Sequence, residues 1–224
     1  MTTTTTIDLL LTGKAEIFGP KGEASGYVKT AVDGSLMLDW DGLSSDQQAD
    51  RENHGGVDKA LFQYCSDHYQ QWQQRNPEHR ALLERIGAFG ENISARGLHE
   101  ENVYIGDRFQ IGEALVEVSQ GRQPCWKLGH FFNDQSMVKA VVDTAMGGWY
   151  YRVLEPGKIG VGDSIELVDR PNPQMPVKKA FEVLVARKRD DEAVAQLVDI
   201  PALSKSWTAR ARKIHLRRTS EQSK

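Results

Sequence analysis

The stretch VSQGRQPCWKLG, residues 118–129, places Cys125 directly after Pro124, with Arg122 three positions before it and Lys127 two after. A proline fixes its own φ and pushes the preceding residue, here Gln123, toward an extended shape. The thiol is therefore presented from a stiff, basic loop. Neighbouring cations favour the thiolate, the form that attacks carbon or binds a soft metal. A free cysteine is equally at home as a small buried hydrophobe, and the local residues leave both readings open. Cys65, in the apolar run ALFQYC, has no such neighbours and reads as filler.

Two further stretches carry residue types suited to chemistry. In NHGGVDKALFQY, residues 53–64, His54 precedes Gly55 and Gly56, and Lys59 follows. Paired glycine amides can approach an anion closely, and the Lys59 ammonium could meet the same anion. The alternative is a turn that enters a strand. In GAFGENIS, residues 87–94, the Asn92 carboxamide offers a donor and an acceptor to a heterocycle; the same residues also read as a helix stop followed by a strand start. The six histidines form no HExxH, and no second cysteine follows Cys125 in a CxxC, which argues against a zinc deaminase. The chain contains no GxGxxG, P-loop or GxSxG.

The elements that must hold these residues are mostly short strands. IDLLLTGKAEIFG and SGYVKTAV read as strands, and NVYIGDRFQIGEALVEVSQ reads as a hairpin with alternating apolar positions. VGDSIELV (161–168) echoes IGDRFQI (105–111), which suggests a barrel of short strands. Two helical patterns interrupt them. One runs from a Ser66 or Asp67 cap to Gly87 with a restart at Pro77; the other carries Met137, Val141 and Ala145 on one face and stops at Gly147-Gly148. The prolines of residues 171–176 predict a linker. Three helical patterns follow, with apolar faces at Val177/Phe181/Leu184/Val185, Val194/Leu197/Val198 and Leu203/Trp207/Ala211/Ile214. Helices this short bury little alone, so they are expected to dock on the barrel or on a partner.

The chain has 224 residues, which suits one domain with a small appendage. It has no apolar run long enough for a bilayer and no basic segment ahead of its short N-terminal apolar run, so a secretory signal is not expected. The N-terminal threonine run is expected to be a frayed or extended end with little function. Two cysteines 60 positions apart make no disulfide framework and suit a cytoplasmic, reducing compartment. Residues 201–220 hold six cations and no acid, while the whole chain carries −3, so the remainder carries −9. Such a tail is a solvated helix face or a surface for an acidic protein or nucleic acid; a nucleic-acid partner is the less expected of these.

HGGVDKA, FGENIS, VYIGDRFQIG and VSQGRQPC, in that order, resemble the MOSC domain family, named for the C-terminal region of molybdenum cofactor sulfurase. With the tail LSKSWTARARKI the resemblance is to the stand-alone bacterial YiiM type and covers essentially the whole chain. Val57 departs from a frequent proline, and SQGR from a pattern nearer SQPR. The resemblance implies a mainly β fold: a MOSC-type β-barrel with inserted helices over residues 1–170, a Pro-rich linker at 171–176 and a small three-helix domain at 177–220.

The resemblance also implies molybdenum cofactor (molybdopterin), with Cys125 as thiolate ligand to the metal. Lys59, Arg122 and the Gly55-Gly56 amides would hold the pterin phosphate, Asn92 and His54 would reach the metal ligands or pterin ring, and His54 would be the proton donor. The implied activity is reduction of N-hydroxylated compounds, such as hydroxylaminopurine-type base analogues, to amines. The chain has no dinucleotide fingerprint and too few cysteines for an iron–sulfur cluster, so the implied electron source is a separate NAD(P)H-dependent flavin or iron–sulfur reductase. No membrane partner is expected, and a homodimer is compatible with the family. Two alternatives share the residues: a carrier that binds the cofactor or sulfur without turnover, and a metal-free cysteine-nucleophile transferase or hydrolase using Cys125 with His54.

Overall fold

The computed structural model describes residues 4–49 and 55–222. His54 lies outside the described residues. The strands are β1 (Thr4–Thr6), β2 (Leu9–Thr12), β3 (Glu16–Ile17), β4 (Ala24–Ser25), β5 (Thr30–Ala31), β6 (Ser35–Asp39), β7 (Gly42–Leu43), β8 (Leu61–Cys65), β9 (Ile93–Ala95), β10 (Arg108–Ile111), β11 (Ala114–Gly121), β12 (Trp149–Glu155), β13 (Gly157–Gly160) and β14 (Ser164–Asp169). The helices are α1 (Asp67–Arg75), α2 (Arg80–Leu83), α3 (Trp126–Phe132), α4 (Ser136–Thr144), α5 (Val177–Leu184), α6 (Asp191–Val198) and α7 (Lys205–Gln222).

Nine strands form one sheet in the order β1-β14-β10-β11-β12-β8-β9-β2-β5, and β13-β6-β7 and β3-β4 form two smaller sheets. Among the described residues only β8 and β9 pair in parallel; the other pairs are antiparallel. The expected barrel is therefore not closed: among the described residues β1 and β5 are the two edges of an open sheet. Closure needs pairing between strands at the two ends of the order, which no local alternation specifies. Of the two readings of the threonine run, the extended one holds at Thr4–Thr6, which pair with Glu166, Ile165 and Ser164, since β-branched residues suit a strand.

The expected hairpin is β10–β11, with Phe109 opposite Val116 and Ile111 opposite Ala114. Gly112 turns it at φ 51°, where a Cβ would lie 2.5 Å from Asp163 Oδ2. Seven of the eight residues of β11 are buried, because the strand is covered on both faces. Residues 25–32, expected to be one strand, are strand only at Ser25, the end of β4, and at β5; Tyr27–Lys29 between them lie in a connection. A Cβ at Gly26 would lie 2.1 Å from the Gln47 carbonyl, so the chain there presses against another loop instead of a neighbouring strand.

The helix expected over 66–87 breaks at Asn76, and its restart at Pro77 is a short 3-10 turn before α2. α4 stops at Ala145, which adopts φ 58°, and not at the glycine pair. Gly147 and Gly148 instead bring β12 against β11. A Cβ on Gly147 would sit 2.6 Å from the Arg122 carbonyl and one on Gly148 2.5 Å from the Gln63 carbonyl, while Arg122 N–H donates to Gly148 O at 2.9 Å.

The C-terminal helices share the main core. Val177, Phe181, Leu184, Val194, Leu197, Trp207 and Ala211 belong to the same buried cluster as Val116, Val118 and Trp149. Gly121, the last residue of β11, admits this packing: a Cβ there would lie 3.0 Å from the Trp207 ring. The 171–176 segment is held as well, with Met175 fully buried and Asn172 Nδ2 donating to Ile105 O at 2.9 Å. A second, aromatic cluster under the other face contains Tyr27, Phe62, Tyr64, Trp72, Phe89, Leu128 and Phe132. Among the described residues no helix is long and apolar enough to cross a membrane.

Candidate functional site

β11 delivers Gly121 to the end of the sheet, and the chain continues through Arg122, Gln123 and Pro124 to Cys125, which caps α3. The local residues did not predict α3, because Gly129 breaks the helical pattern of Leu128 and Phe132. A Cβ at Gly129 would lie 2.6 Å from the Gln135 side chain, so glycine is there for close packing. Cys125 has extended backbone (φ −127°, ψ 178°) and is partly exposed. It stands in a cleft with Lys59, Asn92, Arg122, Lys127, Tyr27 and Tyr150. Four residues singled out in the sequence at separations of up to 66 positions, Lys59, Asn92, Arg122 and Cys125, thus meet in one place.

Arg122 is buried at 4% exposure. Its Nη2 donates to Phe89 O at 3.2 Å, its guanidinium lies 5.4 Å from the centre of the Phe62 ring, and its Nη1 is buried with no hydrogen-bond partner among the described residues. A buried unpaired donor on a cation is costly, so this nitrogen marks a place for an anionic or carbonyl oxygen. The phenols of Tyr27 and Tyr150 lie beside it. Burial raises the pKa of both, against the opposing charge of Arg122, so both stay protonated near neutral pH. Tyr27 donates to Ala88 O at 2.9 Å. Lys127, in the first turn of α3, is buried to 7% exposure.

Asn92 lines the cleft and is also held by the scaffold. Its Nδ2 donates to Leu11 O at 3.2 Å and Asp46 Oδ2 at 2.9 Å, and its Oδ1 accepts from Phe62 N at 3.1 Å. A carboxamide so engaged ties β8 and β2 to the cleft floor and has little left for a heterocycle. Gly55 and Gly56 are not among the described walls of the cleft, and Gly56 N–H donates to Gln48 Oε1 at 3.3 Å. Gln48 itself does line the cleft. Lys59 lies in a 3-10 turn, residues Val57–Lys59, ahead of β8.

Three residues were not foreseen. Lys29 and Asp46 form a buried ion pair on the cleft wall at 2.5 Å, and Asp46 also accepts from Gly13 N at 2.7 Å. Burial lowers the Lys29 pKa, with Asp46 opposing. Glu91 is fully buried and accepts from Tyr69 Oη at 2.5 Å, Gly87 N at 3.0 Å and Phe89 N at 3.2 Å, so it shapes the loop whose Phe89 carbonyl holds Arg122. Its neighbours Gly87 and Gly90 adopt positive φ, which closes this loop tightly. Nothing in the sequence links Lys29 to Asp46.

The MOSC domain model matches residues 50–166, and a YiiM-like three-alpha-helix domain model matches residues 175–213. Protein YiiM of Escherichia coli (strain K12) is 42% identical over 205 residues, covering 92% of this chain and 90% of that protein. This chain belongs to the MOSC family and is of the YiiM type. The crystal structure of YiiM from Escherichia coli superposes on this MOSC chain with a TM-score of 0.79 at 36% identity, covering 96% of this chain and 93% of the other. A protein of Gibberella moniliformis (strain M3125 / FGSC 7600) named a reductase is 35% identical over 187 residues, which are 81% of this chain and 33% of that one.

The two thiols of this YiiM-type chain differ in kind. Cys65 is fully buried, and burial pushes its pKa up to about 12, with the charges of Asp67 and Glu100 adding to the rise. At pH 8 only about one such thiol in ten thousand is thiolate. Cofactor-free protein treated with iodoacetamide at pH 8 is expected to carry one adduct, on Cys125, with Cys65 labelled only in denaturant. Equal labelling of both in the native state, read by peptide mass spectrometry, would contradict these burials.

Proposed function

We propose that this MOSC protein is a molybdenum-cofactor-dependent reductase of N-hydroxylated compounds, fed electrons by a separate reductase. The observation that carries the reading is the cleft itself: a partly exposed thiol beside a buried guanidinium whose Nη1 has no partner among the described residues. This donor set fits the cofactor. The Cys125 sulfur is the soft ligand that molybdenum favours, and Arg122 Nη1, with Lys59 and Lys127, suits the phosphate or ring oxygens of a pterin. A relative that this chain matches over 33% of its length is named a reductase, and that name is compatible with redox chemistry.

When bound, the cofactor supplies two-electron transfer and an oxygen-accepting metal. The chain's own residues bind and orient. Cys125 anchors the metal from a loop stiffened by Pro124. Arg122, held by Phe89 O and backed by Phe62, offers a fixed positive charge with no reorganisation. Tyr27 and Tyr150 keep neutral O–H groups beside it. Asp46 and Lys29 neutralise each other, so the floor adds polarity without net charge. We assign the proton that accompanies loss of water to His54, next to the Gly55-Gly56 pair. The reaction balances as R–NHOH plus two protons and two electrons giving R–NH2 and water: the N–O bond breaks and the oxygen leaves as water. The electrons come from an NAD(P)H-dependent flavin or iron–sulfur reductase, for which Lys205 and Arg212 on exposed α7 offer an acidic protein a docking face.

The test is steady-state reduction of 6-hydroxylaminopurine by holoprotein with NADPH and a flavoprotein reductase. The expected result is many turnovers of amine per protein. At most one equivalent of amine would identify a carrier, and amine-free hydrolysis or transfer without molybdenum would identify a cysteine nucleophile.

A further inference from the structure

Cys125 lines two cavities. One is the cleft described above; the other, of about 320 Å3, adjoins it through Lys59, Gln123, Cys125 and Tyr150 and is walled also by Ser206, Trp207 and Arg210 of α7. The helical domain therefore builds part of the approach to the thiol. Arg210 Nη1 donates to Gln123 Oε1 at 2.9 Å and to Leu184 O at 3.3 Å, spanning the reactive loop and the end of α5.

Beyond Arg210 and Gln123 the surface continues into a groove of about 580 Å3 between the end of α5 and α7. Its floor is apolar, with Val183 and Ile214, and its rim holds Arg187, Lys213 and Arg217. Glu221 is the one acid among its walls, and it is paired to Arg217 at 3.1 Å. Arg187 and Lys213 make no ion pair among the described residues. Arg187 is also held at φ 60°, a left-handed conformation that a branched or long side chain rarely adopts. The cations of residues 201–220 stand out on a chain whose remainder is −9, so the field gathers anions here and repels them elsewhere.

We propose that this groove receives the phosphate of the substrate, so that the preferred substrates are N-hydroxylated nucleoside phosphates and not free bases. The inference rests on the reductase reading for what happens at Cys125, but the groove's preference for phosphate is separable from it. A base in the cavity beside Cys125 directs its sugar past Gln123 and Arg210, and the phosphate meets guanidinium and ammonium groups suited to it. The apolar floor takes the sugar's carbon face.

The experiment compares adenosine with adenosine 5′-monophosphate by equilibrium dialysis against holoprotein in low salt. It uses wild type and the Arg187→Gln/Lys213→Gln variant, whose glutamines keep the stems and remove the charges. Wild type is expected to bind the monophosphate about tenfold more tightly than the nucleoside, as charge-assisted hydrogen bonds would give, and the variant to bring the ratio near one. With dithionite-reduced viologen as electron source, kcat/KM for N6-hydroxyadenosine 5′-monophosphate over N6-hydroxyadenosine should show the same ratio, lost through KM in the variant. Equal binding of the two ligands by wild type overturns the proposal. So does a variant that keeps the ratio, or one that binds the monophosphate normally but accepts electrons slowly from a reductase, which would make the groove a protein-docking face. A phosphate preference in dialysis without N-hydroxyl reduction of any substrate upholds the groove and sinks the reductase reading.

Discussion

Protein carrying Cys125→Ala, made in a host that synthesises molybdenum cofactor, is expected to purify with molybdenum at background while wild type carries up to one atom per chain. Reduction of 6-hydroxylaminopurine should fall by about a thousandfold or more, the scale on which loss of an essential group shows. Cys125→Ser should behave similarly, because a hydroxyl is a poor substitute for a soft sulfur. The fold should survive both changes. Cys125 is partly exposed, and its extended backbone suits any residue, so the change in stability should stay within about 0.5 kcal/mol. Metal analysis beside a thermal melt therefore separates loss of a ligand from loss of structure. A well-folded Cys125→Ala protein that keeps stoichiometric molybdenum and full activity would remove the basis of the proposed function.

The second large effect is on stability. Lys29 and Asp46 are both buried, at 7% and 6% side-chain exposure, and Asp46 also satisfies Gly13 N and Asn92 Nδ2. Removing one partner of a buried pair strands the other charge, at a cost of about 3–5 kcal/mol. Asp46→Ala should therefore lower the denaturant midpoint strongly, with the slope unchanged. The cleft should suffer with it, since Asn92 loses the carboxylate that fixes its amide. Adding Lys29→Met should recover part of the loss by removing the stranded charge, and the double-mutant cycle measures the coupling. If the double variant is less stable than Asp46→Ala alone, the pair does not carry the energy assigned to it. The direction of the Lys29 pKa agrees with this account: burial lowers it, and Asp46 opposes the fall.

Much of the architecture is legible in the residues because its causes are local. The hairpin of Arg108–Ile111 and Ala114–Gly121 follows from alternation and a glycine turn. The break at Asn76-Pro77 follows from a proline, and the apolar faces of α5, α6 and α7 follow from helical spacing. Where an expectation failed, a distant partner had intervened. Residues Tyr27–Lys29 leave the strand pattern to reach Ala88 and Asp46. Gly147 and Gly148 serve an approach to Arg122 and Gln63, while α4 ends on its own at Ala145.

The candidate site divides in the same way. By itself the sequence determined which side chains are able to bind a soft metal and an anion, because a thiol after proline, a flanking arginine and a lysine behind two glycines are properties of residue type and immediate neighbours. It also determined the family, whose motifs run through the chain in order. Only the tertiary structure decided that Arg122 is buried with a nitrogen to spare, that the Asn92 carboxamide is spent on the scaffold, that Lys29 and Asp46 pair, and that α7 forms part of the wall beside Cys125. Those outcomes depend on which distant groups are brought together and what water is left to them. Burial and pairing are properties of the packed chain, and no short stretch of residues contains them.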